Sequence, residues 1–443
     1  MDIKTLQQLQ EEFDKVYLFA DRGVLPIMIA TFIANQLPLK PVWLLIIGAS
    51  SGGKTALIES LNALTNIVFP ISDLTTNTFA SGQQRPGKET SLLRKLKPGN
   101  ILTFKDFTSL MEKNQEARGE IMGQLREIYD GNYVKRTGTG QDIPWTGKVG
   151  VIAGGTEAVY ERLESLSVMG DRFIMYGLSQ APRMEVAKRA FMNEQTNMAE
   201  KEKHLQTCVK SYILYLMDNL SLASDIKIND ELMMKILSVA DFSTIVRSGV
   251  IMDDRKGQVK FVPQHEMPMR MTAQLVAITK AFLLMRKTIQ QPEGGDKILI
   301  ESGSLSVLEE DCLYKVAFSS IPIKRRKALF SLASYKGGIT TEGLATAVGY
   351  QTDVVRVWLA QLNALGVCIR EKLGRKDKWT LKPEYLAIMH RFNKIKEEEG
   401  VLDSDGEEDT DRLMQDYEMA KEELDAEVLE EEFKGVDDGF GGW

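Results

Sequence analysis

The octapeptide Gly48-Ala49-Ser50-Ser51-Gly52-Gly53-Lys54-Thr55 constrains this chain more than any other feature. It is a complete G-x-x-x-x-G-K-[ST], set between an apolar run, Val42 to Ile47, and a helical pattern, Thr55 to Leu64. A strand, a glycine-rich loop and a helix in that order predict an anion site. The glycines let successive backbone N–H groups close on phosphate, and the helix start favours negative charge. Lys54 stands where an ammonium reaches β- and γ-phosphates, and Thr55 where a hydroxyl ligates Mg²⁺. The expected ligands are a nucleoside triphosphate and Mg²⁺, held through Gly48, Ser50, Ser51, Gly52, Gly53, Lys54 and Thr55.

A second apolar strand, Ile101 to Phe104, runs into Lys105-Asp106. A carboxylate at the end of such a strand suits a Walker B aspartate, which shares the metal with Thr55. Phe107 follows, so the glutamate that commonly polarises the attacking water is absent from its usual place. Glu89, Glu120 and Glu127 are the candidates to supply it.

Around these motifs, short apolar runs alternate with helical patterns as far as about Leu178. Ile67 to Ile71, Val149 to Ala153 and Phe173 to Leu178 complete the strand candidates, which predicts an α/β fold with a parallel sheet flanked by helices. Residues 1–36 read as two helices, Ile3 to Phe19 and Val24 to Ala34, ended by Pro38 and Pro41. Residues 37–185 form the P-loop core, 186–295 are mostly helical with a hinge at Pro292 to Gly295, and 303–390 make a third unit.

That third unit has the layout of a winged helix. Arg325 to Tyr335, Thr341 to Val348 and Thr352 to Leu365 are its helices, with Val354, Trp358, Leu362 and Leu365 on one face of the last. Two strands, Val367 to Arg370 and Lys378 to Leu381, enclose a basic tip from Lys372 to Lys378. Lys372, Arg375, Lys376 and Lys378 are expected to meet phosphates while Arg356 approaches a groove; the competing reading is a protein contact.

Charge divides the chain as sharply as hydropathy does. The net −7 conceals 20 Asp and Glu against 3 Lys and Arg between Glu397 and Trp443, a tail of −17 on a body of +10. Such a tail is expected to be disordered: a solvated solubility appendage, a polyanion mimic for a basic groove, or a docking peptide for a replication partner ending in Phe440 and Trp443. The longest apolar run, Val24 to Ala34, is about half the ~20 residues that a membrane span needs, and no signal-peptide pattern follows Met1. A cytoplasmic location without membrane contact is expected. Cys208, Cys312 and Cys368 form no C-x-x-C pair, and His204, His265 and His390 lie far apart, which argues against a disulfide scaffold or a zinc module.

The order of parts resembles an AAA+ ATPase, more narrowly the minichromosome maintenance (MCM) helicases and related replicative ATPases of phages and mobile elements. The resemblance covers roughly residues 37 to 390. It implies a hairpin over Gly131 to Gly140 that points Lys135 and Arg136 at DNA in a central pore. It implies a sensor position at Thr156, where the family usually has Asn, after the strand Lys148 to Ala153. Met169-Gly170-Asp171-Arg172-Phe173 is similar to the arginine-finger segment, which gives Arg172 to a neighbouring subunit's γ-phosphate. Ile228 to Arg247 and Glu266 to Leu275 look like the helical lid, with Arg270 in the sensor-2 place. With fewer than fifty residues before Gly48, the large N-terminal DNA-binding tier of MCM proteins is not expected here.

The function that the resemblance implies is an ATP-driven DNA motor forming a ring, hexameric in the family: a helicase or helicase-like replication protein of a phage or mobile element. The alternative from another class is an initiator, helicase loader or regulator that binds DNA and uses ATP only to assemble.

Overall fold

The computed structural model describes residues 2–80, 91–136, 142–160, 172–179, 181–253, 258–286, 289–290, 298–299 and 304–398. The acidic tail beyond Glu398, the hinge at 292–295 and Glu89 therefore lie outside the described residues. Up to residue 177 the strands are β1 (Trp43–Ile47), β2 (Val68–Ile71), β3 (Asn100–Phe104), β4 (Asn132–Arg136), β5 (Asp142–Thr146), β6 (Val149–Gly155) and β7 (Phe173–Gly177). Five of them form one parallel sheet in the order β2-β3-β6-β1-β7, while β4 and β5 pair as a separate antiparallel hairpin. β6 thus lies between the P-loop strand and the Asp106 strand. β1, β3 and β6 are buried along their whole length, the signature of a sheet covered on both faces.

Period-two alternation distributes the sheet between two cores. Leu44, Ile46, Ile101, Ile152 and Ile174 face one cluster, and Trp43, Leu45, Ile47, Leu102, Phe104, Val151 and Phe173 the other. The first face is covered by α2 (Val24–Gln36), which follows α1 (Leu6–Val16). α2 is apolar all round and buried from Val24 to Asn35, as a helix inside a core must be. α1 begins at Thr5, whose hydroxyl accepts from the Gln8 amide at 3.2 Å in a capping box.

The helix after the P-loop is shorter than its pattern: α3 (Lys54–Glu59) passes into a 3₁₀ turn over Ser60–Ala63. A short α4 (Leu92–Lys95) precedes β3. The chain from Asp106 to Asp130 forms two helices, α5 (Thr108–Glu112) and α6 (Gln115–Asp130). Asn114 makes the break, because its carboxamide oxygen caps the Ala117 amide at 2.9 Å.

Beyond the sheet come α7 (Arg183–Glu194), α8 (Met198–Met217), α9 (Asp230–Arg247), the hairpin β8 (Ile251–Asp253) and β9 (Gln258–Phe261), then α10 (Met269–Arg286) and the short strands β10 (Ile289–Gln290) and β11 (Ile298–Leu299). The described residues of 186–290 are mostly helical, apart from the β8–β9 hairpin and the short β10. α10 packs beside α2 in the core under the sheet.

The C-terminal part contains α11 (Val307–Ser319), α12 (Ile323–Ser334), β12 (Ile339–Thr340), α13 (Thr341–Val348), α14 (Thr352–Ala364), β13 (Cys368–Leu373), β14 (Lys376–Leu381) and α15 (Pro383–Glu398). Its three strands form an antiparallel sheet in the order β12-β14-β13. On α14 the core stripe is Val355, Trp358, Leu359 and Leu362, whereas Val354, expected inside, is exposed. This part is not isolated from the rest: Phe242 and Val246 of α9 belong to its core, and buried Arg325 donates to the carbonyls of Val246 at 2.6 Å and Ser248 at 2.7 Å. Among the described residues no helix is long and apolar enough to cross a membrane.

Candidate nucleotide-binding site

The loop that leaves β1 is built around two residues in the left-handed region, Ser51 at φ 62° and Gly53 at φ 80°. Its base is tied to the sheet, since Gly48 N–H donates to the Gly155 carbonyl at the end of β6. A side chain at Gly53 would do more than strain the backbone, because its Cβ would stand 2.8 Å from the ring of Phe19. Ala49, Ser50, Ser51, Gly52 and Thr55 are exposed, whereas Lys54 is 8% exposed and folds back onto its own loop. Its ammonium donates to the carbonyls of Gly48 at 2.8 Å and Ala49 at 2.5 Å. Burial pushes Lys54 below its ordinary value, and the charge of Asp106 pulls it back up. Those carbonyls are neutral acceptors that phosphate oxygens would outcompete, because an anionic acceptor adds the attraction of opposite charges to a bond whose donor is already ionised.

Asp106 is exposed immediately beyond β3 and accepts from the Thr108 amide at 2.9 Å. Phe107, in the place of the usual glutamate, is buried and donates its amide to the Gly154 carbonyl at 2.7 Å. Thr156 follows β6, so it flanks the P-loop; its amide donates to Thr108 Oγ1 at 3.0 Å and the two hydroxyls are 3.3 Å apart. Thr108 is thus a link between Asp106 and Thr156 that no motif singles out. Glu120 and Glu127 are exposed on α6. Glu120 accepts from Gln124, whose amide also reaches the Thr76 carbonyl, and the charges of both glutamates act on Tyr133 in the β4 hairpin. The carboxylate whose charge acts on Lys54 is Asp106.

The two arginines singled out by pattern meet at the other end of the sheet. Arg172 enters β7 at Phe173, which pairs with Trp43 at the start of β1, whereas the P-loop follows Ile47, which pairs with Gly177. At ~3.3 Å per residue, roughly 15 Å of strand separates the two ends. Arg172 makes an ion pair of 2.7 Å with Asp130 and lies 5.7 Å from the ring centre of Tyr129. Arg270, at the start of α10, lies 5.9 Å from the same ring. Tyr129 packs edge-on against Trp43, and Gln274 of α10 donates to the Arg172 carbonyl at 2.7 Å. Burial raises the Tyr129 phenol to about 12, against the pull of the two guanidinium groups, so it is neutral near pH 7.

Many solved structures resemble this chain, two of them as follows. One is a full-length MCM homolog from Methanopyrus kandleri: 14% identity, 71% of this chain and 60% of that one covered, TM-score 0.38. The other is the SCCmec type IV Cch, described as an active helicase: 12% identity, 88% of this chain and 72% of that one covered, TM-score 0.31. The chain therefore spans less than two thirds of the MCM homolog. No protein-family model matches the sequence, and no curated protein matches it significantly.

The basic residues expected at nucleic acid fall in two places. Lys135 and Arg136 end β4; Lys135 is half-buried and donates to the Thr76 carbonyl at 3.1 Å and Asn77 Oδ1 at 2.9 Å, while Arg136 is exposed. Residues 137–141, the turn between β4 and β5, lie outside the described residues. In the C-terminal sheet the expected long tip contracts to Gly374 and Arg375, with Gly374 at φ 63°. Lys372, Lys376 and Lys378 consequently lie in strands. Register sets Lys372 opposite Asp377, and Lys378 opposite Glu371, so Lys372 shares the face of Asp377 and Trp379 while Lys376 and Lys378 occupy the other. Arg356 is exposed on α14 and paired with Asp353.

Proposed function

We propose that this chain is an ATP-driven DNA motor that works as a ring, a helicase or helicase-like replication protein of the AAA+ class that the sequence resembles, from a phage or mobile element and acting in the cytoplasm. One observation carries the reading: the phosphate loop and the Arg172–Arg270 pair lie at opposite ends of one parallel sheet. An arginine pair so far from its own P-loop supports a composite site closed by a neighbouring copy, and head-to-tail contacts of that kind generate rings.

In this reading the exposed amides of residues 49–53 bind the triphosphate, Lys54 exchanges its loop carbonyls for phosphate oxygens, and Thr55 and Asp106 would hold Mg²⁺. The donor set fits that ion, a hydroxyl and a carboxylate exposed on the surface beside a buried ammonium. Magnesium, when bound, neutralises charge between the β- and γ-phosphates. Thr156 and Thr108 fix the position of Asp106 relative to the end of β6. Arg172 and Arg270 of the adjoining copy stabilise charge that develops on the transferred phosphoryl group. The end of β4, with Lys135 and Arg136, offers cations to DNA in the pore. The C-terminal helices and sheet, read as a winged helix, offer Arg356, Arg375, Lys376 and Lys378 to phosphates. The acidic tail competes with DNA or docks a replication partner.

The test combines mass and unwinding. The purified chain with ATP and forked DNA is expected to form a closed oligomer, hydrolyse ATP faster with DNA than without, and displace a strand. Lys54→Ala abolishes hydrolysis while the fold survives. DNA-stimulated hydrolysis without strand displacement would instead identify the ATP-switched initiator or loader.

A further inference from the structure

Away from the P-loop, α1 and α8 bring together three side chains of metal-ligating chemistry. Glu12 comes from α1, and His204 and Cys208 come from adjacent turns of α8, four residues apart. Their ligand atoms all lie within 4.8 Å of one another. Glu12 Oε2 is 2.8 Å from His204 Nε2, and Cys208 Sγ is 3.4 Å from the same nitrogen. Glu12 and Cys208 are buried, while the His204 side chain is 47% exposed and opens the group to solvent.

Imidazole Nε2 has one σ direction and carries either a proton or a lone pair. Here it is shared between a carboxylate and a thiol. As a lone pair it repels the carboxylate, and as an N–H it leaves the thiol without an acceptor at that nitrogen. A cation between the three atoms answers all of them at once. A tetrahedral zinc centre, with ~2.0 Å to nitrogen or oxygen and ~2.3 Å to sulfur, has edges of about 3.3–3.5 Å. The separations of 2.8 and 3.4 Å lie within about 0.5 Å of those edges, and the carboxylate-to-thiol separation, at most 4.8 Å, closes by side-chain rotation.

We propose that Glu12, His204 and Cys208 form a binding site for a borderline divalent cation, zinc in the first instance, that clips α1 to α8. One carboxylate oxygen, one imidazole nitrogen and one thiolate form a zinc-type donor set, with water in the fourth position. Lys15 donates to Glu12 Oε1 at 2.6 Å and orients the carboxylate so that Oε2 faces the group. On loading, the Cys208 thiol gives its proton to solvent, and the thiolate takes its place on the metal. The chain that leaves α1 carries Phe19 to the ring contact over Gly53, so the clip fixes the segment that roofs the phosphate loop.

The experiment uses the full chain, stripped of metal and titrated with Co²⁺ and Zn²⁺ in the absence of nucleotide. A thiolate-to-cobalt charge-transfer band of one equivalent is expected, displaced by zinc, together with a zinc-dependent rise in Tm. Cys208→Ser and His204→Asn should each weaken binding at least ~100-fold, since even outer partners of metal ligands cost 10–100-fold, and should lose the Tm shift. Both variants retain the P-loop and the acidic tail, so metal held there appears equally in all three proteins. Absence of the band in the wild-type chain, or a band and Tm shift that persist in Cys208→Ser, would overturn the proposal.

Discussion

Mixing two inactive variants tests the central claim about the site. Lys54→Ala removes the ammonium from the loop, and Arg172→Ala removes the guanidinium at the far end of β7. Arg172 must leave Asp130 and the Tyr129 ring before it can serve a phosphate. The ion pair is half-exposed on the Asp130 side and is worth about 0–1 kcal/mol, and the ring contact about 0.5–1 kcal/mol. An arginine in trans is worth about 10³–10⁵ in rate, or about 4–7 kcal/mol, so release is the smaller term. Each variant alone should therefore hydrolyse ATP at about 0.1% of the wild-type rate or less. In an equal mixture, half of the P-loops and half of the arginines are intact. If subunits assort at random, about a quarter of the interfaces have both, and turnover should recover toward about a quarter of wild type. The assay is steady-state phosphate release on mixtures whose co-assembly is verified by mass. Recovery no greater than that of the separate variants, or wild-type turnover by Arg172→Ala alone, refutes the composite site.

Gly53→Ala should weaken binding of a fluorescent ATP analogue at least tenfold and lower stability by about 1–2 kcal/mol, because φ of 80° and the Phe19 ring both exclude a methyl group; normal affinity would refute this account of the loop. Lys148, which donates to the Leu37 carbonyl at the end of α2, is pushed by burial from 10.5 to about 8. Between those two values the unfolded chain holds more protons than the native one, so stability should rise from pH 8 toward 10.5; urea midpoints should show that rise in the wild type and a flatter profile in Lys148→Met. Lys376→Ala with Lys378→Ala should weaken DNA binding and reduce its salt slope by about 2, whereas Lys372→Ala, on the face shared with Asp377, should change little; equal effects would contradict the division of faces. Deletion of residues 397–443 should tighten DNA binding most at low salt, and unchanged affinity there would leave the tail a solubility element.

Local patterns were legible where the determinant is local. The P-loop, its strand and the start of its helix follow from eight consecutive residues and the apolar run before them, and β3 ends where Asp106 requires. The break at Asn114 was legible in principle, since asparagine is a favoured cap. The β8–β9 hairpin has strands of only three and four residues, too short for periodicity to distinguish. On α14 two overlapping stripes are compatible with a period of 3.6 residues, and the one containing Val355 and Leu359 is selected by what the helix packs against.

The sequence by itself determined which groups of chemistry this chain carries: a phosphate loop, a strand-end carboxylate, two isolated arginines, a divided set of cations and an acidic tail. Each is written in a few adjacent residues, because backbone conformation and charge act over short range. Only the tertiary structure decided which of them meet. It joined Arg172 to Arg270 across one tyrosine at the far end of the sheet, linked Thr108 to Thr156 beside the P-loop, and brought Glu12 to His204 and Cys208. These partners are separated by 48 to 192 residues where their contacts are direct, and a chain pattern with periods of two or 3.6 residues carries no information over such distances.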